Sequence, residues 1–228
     1  MLGGFTMKKL HAKDPGSAIT HFIGMIAAIA ATAPLLIRAA QNSSIHVIAF
    51  SIFMLSMILL YAASTTYHTF DISPSVNKRL KKLDHAMISI LIAGSYTPVC
   101  LIVLEPPMGY FLCALVWTIA LAGIIIKMVW IYCPKWFSSV LYIAMGWLCI
   151  IAFGQLLNNL TPAAFIWLLI GGILYTVGGI IYALKLPVFN ALHKNFGSHE
   201  IFHVFVMAGS FCHFMFMFLY VANMPLSY

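Results

Sequence analysis

The chain has 228 residues, of which 63% are hydrophobic and 7% charged, with a mean hydropathy of +1.00. Soluble domains carry about 25% charged residues, so composition excludes a water-soluble globule and points to an integral membrane protein. The formal net charge of +7 is not gathered into one basic domain, which argues against nucleic acid as a partner.

A helix needs about 20 apolar residues to cross a hydrocarbon core of roughly 30 Å. Residues 1–17 read as an N-terminal cytoplasmic segment, followed by a first predicted span at 18–38. Its Ala-rich stretch from Ile29 to Ala40 imitates a signal-peptide core, but the region before it is long for that role and contains Asp14. Further spans are predicted at 46–68, 84–104, 109–131, 137–157, 163–185 and 199–221. Turn chemistry separates them: Gln41-Asn42-Ser43-Ser44, the run from Ile72 to Lys82, Glu105-Pro106-Pro107, Cys133-Pro134-Lys135, the stretch from Asn158 to Pro162, and Pro187 through Ser198. No linker or repeat divides the chain, so 18–228 is predicted to be a single all-α membrane domain, a seven-transmembrane helix bundle. Gly171, Gly172, Gly178 and Gly179 offer two pairs at seven-residue spacing for close helix approach. Five cysteines, an odd number scattered through apolar stretches, argue against a disulfide framework or a cysteine-based zinc ribbon.

Orientation follows from Lys and Arg in short loops, which favour the cytoplasmic side. With the N-terminus inside, that side receives Lys8, Lys9, Lys13, Lys78, Arg79, Lys81, Lys82, Lys127, Lys135, Lys185 and Lys194, eleven of the twelve basic residues. Only Arg38 falls outside. The expected topology is therefore N-terminus cytoplasmic and C-terminus outside.

Ionisable groups at membrane depth are costly and mark functional candidates. The second span ends in Ser64-Thr65-Thr66-Tyr67-His68, the third begins Leu83-Asp84-His85, and the seventh begins His199-Glu200-Ile201-Phe202-His203. In an up-and-down bundle all three stretches lie at the cytoplasmic end. Residues four apart share a helix face, so His199 and His203 can present two imidazoles to one metal, with His68 as a third. Three imidazoles suit zinc and leave its fourth position for water. Asp84 then serves that water or a ligating imidazole, unless it is simply a helix N-terminal charge. His213 lies about 15 Å along the helix from His203 and His46 at the opposite side, so neither joins the site. His21, His85 and His193 occupy the right side but lack a partner at ligand spacing, and His11 reads as a solvated tail residue.

Taken together, Ser64-x-x-x-His68, Asp84 and His199-x-x-x-His203 resemble the three polar motifs of the hemolysin III proteins. These belong with the progestin and adipoQ receptors (PAQR) and, more distantly, the alkaline ceramidases. The stretches LDHAMISILIAGSYTP and HEIFHVFVMAGSFCHF, with AMGWL between them, carry the likeness over nearly the whole chain. The resemblance implies a seven-helix protein of the bacterial plasma membrane, with zinc on His68, His199 and His203. It also implies Asp84 against the water in the fourth position, and Ser64 hydrogen-bonding within the site or to a substrate carbonyl. It implies a membrane lipid or lipid-derived substrate, since related receptors and ceramidases are associated with hydrolysis of lipid amides. The name of the family implies red-cell lysis, and its bacterial members are linked to membrane homeostasis. The expected function is thus a zinc-dependent hydrolase of lipid amide or ester bonds. The alternatives are a membrane-state sensor with structural zinc, a cytolytic pore-former, and an intramembrane protease, because His199-Glu200-Ile201-Phe202-His203 also spells H-E-x-x-H, in which Glu is the general base.

Overall fold

A computed structural model of the chain describes residues 12–184 and 197–226. Helices α1 (Pro15–Ala40), α2 (Ser44–Thr69), α3 (Pro74–Pro98) and α4 (Met108–Val129) supply the first four spans, α3 running on into a π-helical turn, Val99–Val103. The fifth span is α5 (Lys135–Gly146), a 3-10 segment (Trp147–Ala152) and α6 (Phe153–Asn159) in succession. The sixth is α7 (Pro162–Leu184), and the seventh is α8 (Ser198–Leu219) with a short 3-10 turn, Val221–Asn223. All seven spans are long and apolar enough to cross a bilayer, and the described residues contain no strand.

Short connections force consecutive helices to run antiparallel. Helix α2 packs between α1 and α3, α3 against α4, and α7 against α8, which closes the bundle on α1. The third span is the most enclosed of the seven. The hydroxyl of its Tyr96 donates to the carbonyl of Gly146 at 2.6 Å and accepts from Cys149 N at 2.9 Å. One phenol thus serves backbone groups on both sides of the passage from α5 into the 3-10 segment. Between α7 and α8 the predicted close approach is present at one glycine pair. A Cβ on Gly171 would lie 2.2 Å from the His213 ring, and one on Gly178 would lie 2.8 Å from Phe205 Cβ. Gly172, of the other pair, faces open space.

Two expectations need correction. The run from Ile72 to Lys82 is not simply a break: α3 begins at Pro74, with Ser73 as its cap, accepting from Val76 N. Asp84 is therefore almost three turns into the helix and buried, so a macrodipole role at the first turn does not explain it. The first helix likewise begins at Pro15 and takes in the last three residues of the segment read as a tail. Lys8, Lys9, His11, Lys185, His193 and Lys194 lie outside the described residues. The seven remaining predicted inside cations, Lys13, Lys78, Arg79, Lys81, Lys82, Lys127 and Lys135, stand at the end where α2 finishes and α3 and α8 begin. Arg38 stands at the other end, where it donates to the carbonyl of Phe218 at 2.8 Å.

Candidate metal centre

The last turn of α2 and the first turns of α8 bring His68, His199 and His203 together, one ligand atom from each lying within 4.8 Å of the others. Among the described residues this is the group of three that could hold a metal ion. The Nε2 atoms of His68 and His199 are 3.2 Å apart. His68 and His203 are each 2% exposed, so water reaches neither freely.

Hydrogen bonds behind the rings determine which nitrogen faces inward. His68 Nδ1 lies 3.0 Å from Asp14 Oδ2, and a carboxylate can only accept, so Nδ1 carries the proton and Nε2 keeps its lone pair. His203 Nδ1 lies 3.3 Å from Thr20 Oγ1. The single hydroxyl proton of Thr20 is shared between the Gly16 and Ser17 carbonyls, both at 3.0 Å. Its oxygen therefore accepts from His203 Nδ1, and the His203 Nε2 lone pair is also left free. Such outer partners fix the tautomer of metal-binding imidazoles. His199 Nδ1 is buried without a partner. With the proton on Nε2, His199 donates to His68 Nε2 at 3.2 Å; with it on Nδ1 the two Nε2 lone pairs face each other, and a shared cation would take that proton's place.

Helix α1 supplies most of this support, and sequence reasoning missed it. Asp14, Ser17, Thr20 and His21 fall on one face at intervals of three, three and one. Lys13 N and Asp14 N also donate to the Thr69 and His68 carbonyls, at 3.3 and 2.9 Å, docking the start of α1 on the end of α2. Ser17 donates to Glu200 Oε1 at 2.6 Å, while Glu200 Oε2 accepts from Gly197 N at 2.9 Å. Both oxygens of Glu200 are thus engaged at the start of α8, an arrangement unlike a general base turned towards a metal. His21 stacks on His203 with ring centroids 3.6 Å apart and planes within 8°. A metal lies in the plane of the imidazole that binds it, so one ion cannot serve both rings in this arrangement. Asp14→Asn should weaken metal binding about 10- to 100-fold, the usual effect of losing an outer-shell partner. Competition titration with a metallochromic chelator measures it; unchanged affinity would show that Asp14 does not orient His68.

Asp84 is not one of the three ligand residues. Its Oδ2 lies 3.2 Å from His85 Nδ1, and its side chain lines a cavity of about 130 Å³ together with Ser64, His21, His85, His199 and His203. Ser64 is 1% exposed and its hydroxyl finds no protein partner. Away from these groups most of the wall is apolar, including Leu60, Ile88, Leu91 and Ile92, with Ser95, Ser138, Ser139 and Thr176 set into it. A second cavity of about 110 Å³ shares Ser95, Tyr96, Gly146, Trp147, Gly172 and His213 with the first and continues to Phe153 and Leu156. His213 therefore belongs to the cavity wall and not to the ligand group. His46 is engaged at the other end of the bundle, by Ser43 and the Met224 carbonyl.

Residues 10–214 match the family described as "Haemolysin-III related". The chain is 41% identical over 216 residues to "Hemolysin-3" of Bacillus cereus, covering 94% of each. It is 38% identical over 222 residues to "Hemolysin-3 homolog" of Bacillus subtilis (strain 168), covering 97% of this chain and 98% of that one. A weaker likeness, 24% over 237 residues, links 88% of the chain to 49% of "Adiponectin receptor protein" of Drosophila melanogaster. With its seven apolar spans, this kinship identifies a multi-pass membrane protein, in a bacterial cell one of the plasma membrane.

Proposed function

The chain belongs to the haemolysin-III-related family, and we propose that it is a zinc-dependent hydrolase of lipid amide or ester bonds that serves membrane homeostasis. In this reading the N-terminus and the site lie on the cytoplasmic side and the C-terminus outside. The observation that carries it is the convergence of three imidazoles beside a cavity that holds an unpartnered hydroxyl, a buried carboxylate and a long apolar wall.

Zinc suits the donor set. Bonds of about 2.0–2.1 Å in a tetrahedron place neighbouring nitrogens roughly 3.3 Å apart, and His68 Nε2 and His199 Nε2 already stand at 3.2 Å. Three protein ligands are the number found in catalytic rather than structural zinc sites. Held by His68, His199 and His203, zinc would supply a Lewis acid and an activated water at neutral pH. The remaining work falls to the protein. Ser64 Oγ, which spends its proton on no protein acceptor, donates to the carbonyl oxygen of the scissile bond. Asp84 keeps Oδ2 on His85 and uses Oδ1 to accept and return the proton. The two adjoining, mostly apolar cavities hold an acyl chain and exclude bulk water.

The purified protein, reconstituted in liposomes containing amide- and ester-linked lipids, should release free fatty acid. A chelator should stop the release and zinc restore it, as followed by mass spectrometry. Release that is absent, or indifferent to the chelator, would sink the hydrolase.

A second reading draws on the hydrogen bonds through which α1, α2 and α8 meet at the histidines. There the metal is a structural tie in a membrane-state sensor. The Asp84 substitution discussed below separates the two readings.

A further inference from the structure

A second polar cluster stands at the same end of the bundle, apart from the histidines. Lys127, in the last turn of α4, is 1% exposed. Its Nζ donates to Cys133 Sγ at 3.0 Å and to Ser138 Oγ, and Cys133 Sγ lies 3.3 Å from Ser138 Oγ. Cys133 is in the connection between α4 and α5, 8% exposed, while Ser138 also lines the main cavity.

A buried ammonium needs a negative partner, since desolvating an unpaired charge is very costly. The chain has five acidic side chains, all within the described residues. The ion pairs formed by these, two in number, join Asp84 to His85 and Asp14 to His68. None lies within salt-bridge distance of Lys127. The Tyr142 ring lies 6.0 Å from Lys127 Nζ, but its hydroxyl keeps its proton to donate to the His85 carbonyl at 3.0 Å, which leaves the Cys133 thiol as the group to take up negative charge. Burial pushes that thiol up, but the hydrogen bonds from Lys127 and Ser138 and the lysine's charge outweigh burial and hold it below the ordinary thiol range. The other four cysteines, Cys100, Cys113, Cys149 and Cys212, lie within spans and have no lysine among their hydrogen-bond partners.

We propose that Lys127 and Ser138 make Cys133 a reactive thiolate, a modification site for hydrogen peroxide and small soft electrophiles. Thiolate character is what governs such reactivity. With peroxide, the Sγ lone pair attacks one oxygen and the O–O bond breaks. The leaving hydroxide takes a proton from Lys127 Nζ. The products are Cys133 sulfenic acid, a neutral lysine and water; sulfur is oxidised and peroxide reduced. The proposal does not rest on the metal or on the proposed hydrolysis.

The test is a short pulse of iodoacetamide on the purified protein in detergent at pH 7. Denaturation and alkylation with the isotopically heavy reagent follow, and peptide mass spectrometry reads each cysteine. Cys133 should label at least about tenfold faster than Cys149 and Cys212. Lys127→Met should remove most of that advantage, Lys127→Arg should keep it, and Ser138→Ala should reduce it. Peroxide with a sulfenic-acid trap should mark Cys133 first. Cys133 labelling no faster than the span cysteines in the unmodified chain overturns the proposal whether or not the Lys127 variants fold. An advantage that survives in a folded Lys127→Met protein overturns it as well.

Discussion

Replacing His203 by alanine is expected to reduce bound metal from about one ion per chain to almost none. The side chain comes from the second turn of α8, is buried, and has its Nδ1 already committed to Thr20, so Nε2 is the atom offered to the ion. Losing one of three donors leaves two, and both Glu200 oxygens are engaged elsewhere. His21, whose ring nitrogens are unpartnered, lies parallel to the lost ring and is not aimed at the ion. The same ion joins α2 to α8, so the loss should register in stability too. A ligand at 100 times its Kd stabilises by about 2.7 kcal/mol; the unmodified chain should melt higher when zinc is added, and His203→Ala should show no such shift. Elemental analysis and thermal melting in detergent measure the two effects. His213→Ala is the control, since ten helical residues put it about 15 Å away; it should bind metal normally. Equal metal in His203→Ala and the unmodified chain would remove the site.

What the sequence made legible was whatever a single helix encodes. Hydropathy windows located seven spans because each helix crosses the apolar layer in one continuous run. They failed at the start of α3, where Pro74 to Lys82 is helical but basic and amphipathic; hydropathy reports the lipid, not the hydrogen-bond ladder. Ser73-Pro74 was the available signal, a cap followed by proline in the first turn. The 3-10 stretch after α5 was not legible, because the hydroxyl that serves the Gly146 carbonyl and Cys149 amide comes from Tyr96 on another helix.

The candidate site divides along the same line. His199 and His203 were visible as a pair four apart, and His68 and Asp84 joined them once topology brought the helix ends to one level. Asp14, Ser17 and Thr20 were not, since each is unremarkable on an Ala-rich helix, and His21 was legible only as a histidine on the right side without a partner at ligand spacing. Only the docking of α1 against α2 and α8 gives them partners. Their spacing was itself a clue, placing four polar groups on one face of a helix otherwise suited to lipid.

Asp84→Asn should leave metal content and folding unchanged while lowering fatty-acid release by about 10² to 10⁴, the usual contribution of a positioned acid–base group. The retained metal follows from the ligand set, in which the Asp84 carboxylate takes no part. Folding should persist because asparagine keeps the volume and an oxygen for His85 Nδ1, now 3.2 Å away. What asparagine lacks is the capacity to take a proton and give it back. A metal that merely joins helices would not register that loss, so a variant with full metal and unimpaired lipid turnover would refute the acid–base role and favour the structural tie. A variant with neither metal nor turnover would show instead that Asp84 belongs to the binding of the ion. His85→Phe separates these effects further. It removes the 3.2 Å ion-pair contact with Asp84 but leaves the carboxylate, so turnover should fall less than in Asp84→Asn if proton transfer at Asp84 is the step that matters.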